Sequence, residues 1–443
     1  MKKVFILLFC LCLLCGCNTN TSENVKPAGS DLKIMVATDM HFLASDYHDG
    51  GEASQAIYNV RDGKITEYGK EIMMAFVDTC IQENADAVVL TGDLTYNGEK
   101  ASHEELATIL QPLDDAGIAV LVTPGNHDIR NPNAYSFSGS EAFYENTVEA
   151  IDFETIYANF GFEDAYKRDE HSLSYLYKIS EDVWFMMIDC NGYEWNSVFG
   201  LNSEGKIKQE TLEWAEDCFK LAKKKNATIL TATHHSLLKN EYIHSEDYRI
   251  TYNANNFMEL KAKYESYVNF SGHIHTQSIV ANDVSDVSLY EFTTESLVVG
   301  GNNYGEVNIQ EDQFTYEAKS LDVDSWAKKQ GLTDENLLNF HEYAWQHYID
   351  VSVDHFMKNY ANIDVDEKTK LEVATLIATM NPYYFSGRVD EVRDEVLAGS
   401  SYAKIKQFSD AFSSSYLDSM LAKRPLDQRK FELSGIRKNS LKK

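Results

Sequence analysis

Five short polar clusters in this chain of 443 residues each come just after an apolar run: Asp39-Met40-His41, Gly92-Asp93, Gly125-Asn126-His127-Asp128, His234-His235 and Gly272-His273-Ile274-His275. The preceding runs are Lys33 to Thr38, Ala87 to Thr91, Ile118 to Thr123, Thr228 to Thr233 and Tyr267 to Ser271. With Val183 to Ile188 they are short, nearly continuous and rich in Val, Ile and aromatic residues, as strands covered on both faces are. Between them, Tyr68 to Glu83, Ser102 to Ala116 and Glu210 to Lys225 place apolar residues at helical spacing. This alternation predicts an α/β fold with helices covering sheets. Ligands in such folds gather beyond the carboxyl ends of strands, so clusters remote in sequence can meet at one rim. Gly92, Gly125 and Gly272 suit tight turns and close backbone approach there.

The clusters supply carboxylates, an amide and imidazoles, a donor set for hard-to-borderline divalent metals. Each alone has an ordinary reading. Asp39 and His41 could be a surface pair, Gly125 to Asp128 a turn, and His234-His235 polar residues at a strand end. Five together, at equivalent positions, point to a metal site and to hydrolysis. His48, His103, His171, His244, His341, His347 and His355 lie outside the clusters and read as surface or helix-face residues. His103, near the Asp93 loop, is the one of these placed to matter.

Bulk numbers narrow the class. Apolar residues make up 44% and charged residues 25%, the balance of a globular protein. The formal charge of −29 argues against a nucleic-acid polymer as partner, because phosphate backbones need a basic footprint. It leaves room for a small phosphoester, since bound metals reverse the local field.

Lys2 and Lys3 precede an apolar stretch from Val4 to Leu14, too short to span a bilayer as a mature helix. Leu14-Cys15-Gly16-Cys17 follows and resembles a bacterial lipobox. Cleavage before Cys17 would leave it lipidated, anchoring the chain to the cell membrane on its extracytoplasmic side; an ordinary signal peptide is the alternative. Beyond this segment only Cys80, Cys190 and Cys218 remain, without CxxC spacing, so no disulfide framework or Cys-rich zinc site is expected. Each reads as a small buried hydrophobe.

The expected organisation is a signal peptide over 1–16, a tether over 17–30, a catalytic domain over 31–320, an all-α C-terminal domain over 321–422 and a basic tail over 423–443. Trp326 to Tyr360, Glu367 to Met380, Val389 to Leu397 and Ser401 to Leu421 read as helices, with Asn381-Pro382 breaking two of them. The tail reads as a solvated, mobile end, or more weakly as a contact for an anionic surface.

The ordered blocks DxH, GD, GNHD, HH and GHxH, over roughly 33 to 276, resemble the calcineurin-like metallophosphoesterase superfamily. Gly92 to Glu99 is also similar to the class III cyclic nucleotide phosphodiesterases, and the lipobox with a helical C-terminal domain to a lipoprotein subgroup of them. The resemblance implies a β-sandwich flanked by helices and two divalent metal ions, Mn, Fe or Zn. It implies that Asp39, His41 and His275 hold the first metal and Asn126, His234 and His273 the second, with Asp93 bridging. His127 would touch the scissile phosphate, with Asp128 and His235 behind the ligands. Physically, two metals roughly 3.5–4 Å apart clamp phosphoryl oxygens and lower the pKa of a water, which attacks phosphorus as hydroxide. His127 is placed to protonate or stabilise the leaving oxygen.

Two departures bear on this. Gly92-Asp93-Leu94-Thr95-Tyr96 also fits the purple acid phosphatase block, whose Tyr is an iron ligand; that family lacks the His that stands here at 41, so Tyr96 reads as a loop residue. Ser236 stands where Pro often follows the HH pair, which touches loop shape and not metal binding. The expected activity is therefore hydrolysis of small phosphodiesters, cyclic nucleotides among them. A phosphomonoesterase or nucleotidase is the enzymatic alternative, and a non-catalytic binding lipoprotein the alternative of another class.

Overall fold

The structure is a computed structural model, and it describes residues 25–196, 200–241, 249–406 and 411–437. Cys17, the export segment, most of the tether and His244 lie outside the described residues. Among the described residues no helix is long and apolar enough to cross a membrane.

In chain order the strands are Leu32–Ala37 (β1), Ala87–Leu90 (β2), Ala119–Val122 (β3), Tyr135–Ser138 (β4), Glu141–Tyr144 (β5), Lys167–Arg168 (β6), Tyr175–Lys178 (β7), Val183–Ile188 (β8), Gly205–Lys206 (β9), Thr228–Thr233 (β10), Ile250–Tyr252 (β11), Val268–Ser271 (β12), Ser278–Val284 (β13), Val287–Thr293 (β14), Asn303–Gln310 (β15), Gln313–Ser320 (β16) and Lys430–Ser434 (β17). A six-stranded sheet runs β17-β16-β15-β1-β2-β3, and a seven-stranded sheet runs β13-β14-β12-β10-β8-β7-β6. Two small ribbons, β4-β5 and β9-β11, lie outside them.

The sheets face each other across one core. Phe292 of β14 meets Phe314 and Tyr316 of β16 at ring distances of 5.4 and 4.8 Å. Helices Gly69–Gln82 and Lys100–Asp115 bury Ile72, Phe76, Leu106 and Leu110 in the same core. Helices Gln209–Lys225 and Ala254–Lys263 bury Phe219 and Phe257 in a second apolar cluster, together with Trp184 of β8 and Ile229 of β10. Each such side chain, taken fully out of water, contributes about 1.5–3 kcal/mol. Burial on both faces explains why β2 and β8 are apolar throughout.

Strand direction decides where the site forms. β1, β2 and β3 are mutually parallel, with Ala37 beside Leu90 and Leu90 beside Val122. β8, β10, β12 and β14 are likewise parallel. All carboxyl ends within each parallel set therefore open on one rim.

The second sheet also buries a lysine. Lys261 is fully buried, and its Nζ donates to Thr231 Oγ1 at 2.6 Å, Val268 O at 3.0 Å and Ser266 Oγ at 3.1 Å. Burial pushes its ammonium down to about 7, against the opposing pull of Glu291. The unfolded chain thus holds a proton between pH 7 and 10.5 that the folded chain has released, so folding gains stability as pH rises through that window. Relative to Lys261→Met, the wild-type protein should gain on the order of 3 kcal/mol between pH 7 and 10 in denaturant titrations. A constant difference between the two proteins would show that Lys261 is charged in the fold.

Among the described residues the C-terminal region from Val323 to Leu421 is helical, with two differences from expectation. The stretch read as one helix from Trp326 to Tyr360 divides into Val323–Gln330, Glu335–Leu338 and Phe340–Asn359. Gly331, at φ 71°, ends the first, and Asp334 caps the second by accepting from Asn336 N and Leu337 N. Pro382 does not break the chain: helix Glu367–Phe385 runs through it. Its missing N–H costs one hydrogen bond near the helix end, and buried contacts through Val373, Ile377, Met380 and Tyr384 outweigh it.

The basic tail is not a free end up to residue 437. Lys430–Ser434 forms β17 on the edge of the catalytic sheet, pairing Phe431 with Tyr316 and Leu433 with Phe314. Arg437 is buried against Asp182 at 3.3 Å, and Thr228 Oγ1 donates to Ile436 O at 2.6 Å. Charge composition suggested solvation, while alternation of Phe431 and Leu433 with charged neighbours is a half-buried strand. The helical region is thus stitched to the catalytic sheets at both of its ends.

Candidate metal centre

Each cluster leaves its strand through a sharp turn. Asp39, His41, Asp93, His273 and His275 all have positive φ, between 40° and 69°. Non-glycine residues adopt this backbone at a cost of about 1–2 kcal/mol each, and such strain gathers at functional sites. The loops are laced together beyond the strands: Asp39 N donates to Gly92 O, His41 N to Asp93 O and Gly272 N to His234 O, at 2.9 to 3.0 Å. Gly92 has φ 97°, and a Cβ there would lie 2.6 Å from His234 Nδ1. A Cβ on Gly272 would strike Thr38 Oγ1 and Asp39 Oδ2.

These turns bring the predicted ligands together, all nearly or fully buried except His273 and His275, which are partly exposed. Asp39, His41 and His275 form one group of ligand atoms, and Asp93, His234 and His273 another, with the atoms of each group within 4.8 Å of one another. Asn126 joins the second group, its Oδ1 3.0 Å from His234 Nε2. Asp93 Oδ2 faces both groups, 3.8 Å from His41 Nε2 and 3.4 Å from His234 Nε2. Its other oxygen accepts from His127 N at 2.8 Å.

The donor set fits a divalent cation on an observation independent of family. His234 Nδ1 donates to the Thr91 carbonyl at 2.9 Å, which turns Nε2 inward. That nitrogen meets Asn126 Oδ1, Asp93 Oδ2 and, at 3.2 Å, His273 Nδ1. Several lone pairs converge there and need a positive charge between them. Burial disfavours a charged His234, yet Asp93, with Asp39, raises it to about 9: in the bare polypeptide a proton does the work of a cation. In the first group Asp39 Oδ2 accepts from Thr38 Oγ1 and His273 N, both at 2.8 Å, while the buried Oδ1 has no hydrogen-bond donor. His41 Nε2 and His275 Nε2 lie 3.0 Å apart. Burial pushes His41 and His273 well below the usual imidazole range, so both present the neutral form that metals bind.

The remaining predicted residues surround this core. His127 Nδ1 lies 2.9 Å from both Tyr96 O and Asn97 Oδ1, so its proton sits on Nδ1 and Nε2 faces the other way. It also forms a third possible group with His41 and Asp93. Asp128 ties two loops together, accepting from Gly125 N at 2.7 Å, Thr95 N at 2.9 Å and Leu94 N at 3.1 Å. Burial and the neighbouring Asp93 push it up to about 7, against those bonds. His235 stands behind His273, with ring centres 4.3 Å apart, its nitrogens engaged by Ser203 O and Cys190 Sγ. Burial lowers it to about 3. Tyr96 packs edge-on against Phe137, and its backbone oxygen is what it offers His127. His103 is a buried brace, bonded to Asp128 O and Tyr157 OH at 2.9 Å.

Sequence reasoning missed Lys64. It is buried, 3.1 Å from Asp62, and after burial itself its charge is the strongest influence lowering His41. Its loop has no periodicity, and a lone Lys carries no signal by spacing. Cys80, Cys190 and Cys218 are buried free thiols, and burial raises all three.

A buried, acceptor-rich centre at the rim of an α/β sandwich defines a metal-dependent phosphoric ester hydrolase. Residues 32–277 match the model of the calcineurin-like phosphoesterases, and the chain belongs to that family. Residues 322–427 match the C-terminal domain of cyclic nucleotide phosphodiesterase. A probable cyclic nucleotide phosphodiesterase from Vesicomyosocius okutanii subsp. Calyptogena okutanii (strain HA) is 40% identical over 55 residues, 12% of this chain and 22% of that one. The match thus spans about a fifth of that relative's length. Among solved structures, a dimetal phosphatase from Danio rerio is similar over 65% of this chain and 96% of its own, at 13% identity and TM-score 0.47. A purple acid phosphatase from yellow lupin (Lupinus luteus) is similar over 67% and 52%, at 14% identity and TM-score 0.47.

Proposed function

We propose that this hydrolase is a dinuclear phosphodiesterase acting on small phosphodiesters, cyclic nucleotides among them. The observation that carries this reading is Asp93 Oδ2, placed between His41 and His234 where one carboxylate can serve two cations. Asp39, His41 and His275 would hold one ion and Asn126, His234 and His273 the other, a set suited to Mn, Fe or Zn. Divalent ions bound there supply charge neutralisation at the phosphoryl oxygens and lower the pKa of the attacking water.

The chain's own residues do the rest. Asp128 holds the Gly92-Asp93 and Gly125 loops in register through its three backbone bonds. His127, anchored through Nδ1, presents Nε2 to the substrate. Burial keeps it neutral in the empty site, and an adjoining phosphate anion favours its protonated form, which can donate to the leaving alkoxide. Lys64 adds a buried positive charge on the same side.

The test is a turnover panel of cyclic nucleotides, glycerophosphodiesters and monoesters with added Mn²⁺. Faster diester than monoester hydrolysis supports the reading; the reverse order makes the enzyme a phosphomonoesterase. The Lys2–Lys3 start, apolar run and Cys17 support anchoring by lipid on the extracytoplasmic side of the cell membrane. Cys17→Ser should then move the protein from the membrane fraction to the soluble one, and retention there would refute lipidation at Cys17.

A further inference from the structure

A cavity of about 450 Å³ lies between the metal-binding loop His273 to Thr276 and the helical C-terminal region. It is larger than a phosphoryl group requires and within the range of pockets for small organic ligands. We propose that it receives the nucleobase of a nucleotide phosphodiester, which makes the helical region the specificity element of the enzyme. The proposal rests on the phosphodiesterase reading only for where the phosphoryl group sits.

The lining dictates the class of ligand. Phe385, Phe412, Tyr384 and Tyr416 present rings to the cavity. Phe412 and Tyr416 lie nearly parallel, 13° apart at 5.6 Å, and Phe412 is 59% exposed. A large apolar ring held in solvent beside a cavity offers a face on which a planar group can stack. On the wall of the cavity, Asp62 pairs with Lys64 at 3.1 Å. The rings lining the cavity suit a planar group. Its polar depth is directional. Asn381 is buried, donates to Ser352 Oγ at 2.9 Å and accepts from Tyr416 OH at 3.1 Å. One amide hydrogen and one lone pair of Asn381 are left to read a base edge. His355 lines the same wall.

The test separates this proposal from the phosphodiesterase reading by using ligands without phosphate. Adenosine, guanosine, cytidine and uridine, with ribose as control, are titrated into the metal-loaded full chain by equilibrium dialysis. At least one nucleoside should bind where ribose does not. Phe412→Ala should weaken it about tenfold, because stacking of a base on an aromatic ring is of that order, and Phe412→Tyr should restore it. In turnover, Phe412→Ala should raise KM for the cyclic nucleotide by a larger factor than KM for a glycerophosphodiester. Phe412 is exposed, so its loss spares the core. Nucleoside binding no better than ribose, or equal binding by wild type and Phe412→Ala, overturns the proposal, whatever the diester activity. Nucleoside binding without diester turnover keeps the pocket and removes the phosphodiesterase reading.

Discussion

Asp93→Asn should lower kcat for a diester by about 10³-fold or more and reduce the metal content of the purified chain. The substitution is chosen for what it keeps. Asn retains an oxygen to accept from His127 N, which Asp93 Oδ1 does at 2.8 Å, so the loop stays in place. It removes the negative charge at Oδ2, the atom that faces both His41 and His234. Asp93→Ala would lose both features and confuse loop collapse with charge loss. His234 gives an independent readout. Its elevation to about 9 in the metal-free chain depends chiefly on Asp93, so its titration, followed by imidazole resonances, should fall in Asp93→Asn. An Asn variant retaining wild-type turnover and metal content would show that no carboxylate is shared.

The second large effect is on stability. Removing divalent metal with a chelator should destabilise the fold by about 4 kcal/mol relative to metal at a thousand times its dissociation constant. The physical source is on the rim. Five ligand-bearing residues are held at positive φ, and Asn126, Asp93, His234 and His273 aim lone pairs at one point. Without a cation these costs are borne by the surrounding packing; with one, the convergent atoms become its ligands. Calorimetric melting with and without Mn²⁺ measures the difference, and the shift should shrink sharply in Asp93→Asn. Superimposable melting curves for loaded and chelated wild type would mean that the site binds no metal tightly.

How much of this was legible beforehand follows from the range of the forces involved. The strands preceding each cluster could be read because burial on both faces leaves a local signature, an unbroken apolar run of four to six residues, as in β2 and β8. Asp39, Asp93 and His234 stand out in the sequence as candidate ligands because metal chemistry demands particular side chains. Pro382 was misjudged because the rule for proline concerns one hydrogen bond, while the outcome depended on Val373, Ile377 and Met380 packing behind it. The tail was misjudged for a similar reason: its charges are visible in sequence, but the edge of β16 that Phe431 and Leu433 cover is not.

The amino-acid sequence by itself determined the chemistry, an α/β chain with acceptor-rich clusters at strand ends, because residue type and spacing carry that information locally. Only the tertiary structure decided the arrangement. It set Asp93 Oδ2 between two donor groups, turned His127 by anchoring Nδ1, brought Lys64 beside the centre, and set aromatic residues of the C-terminal helices around a cavity floored by His273 and His275. Those relations join residues hundreds of positions apart through packing of two sheets and a helical region. No periodicity or motif within one segment can encode them.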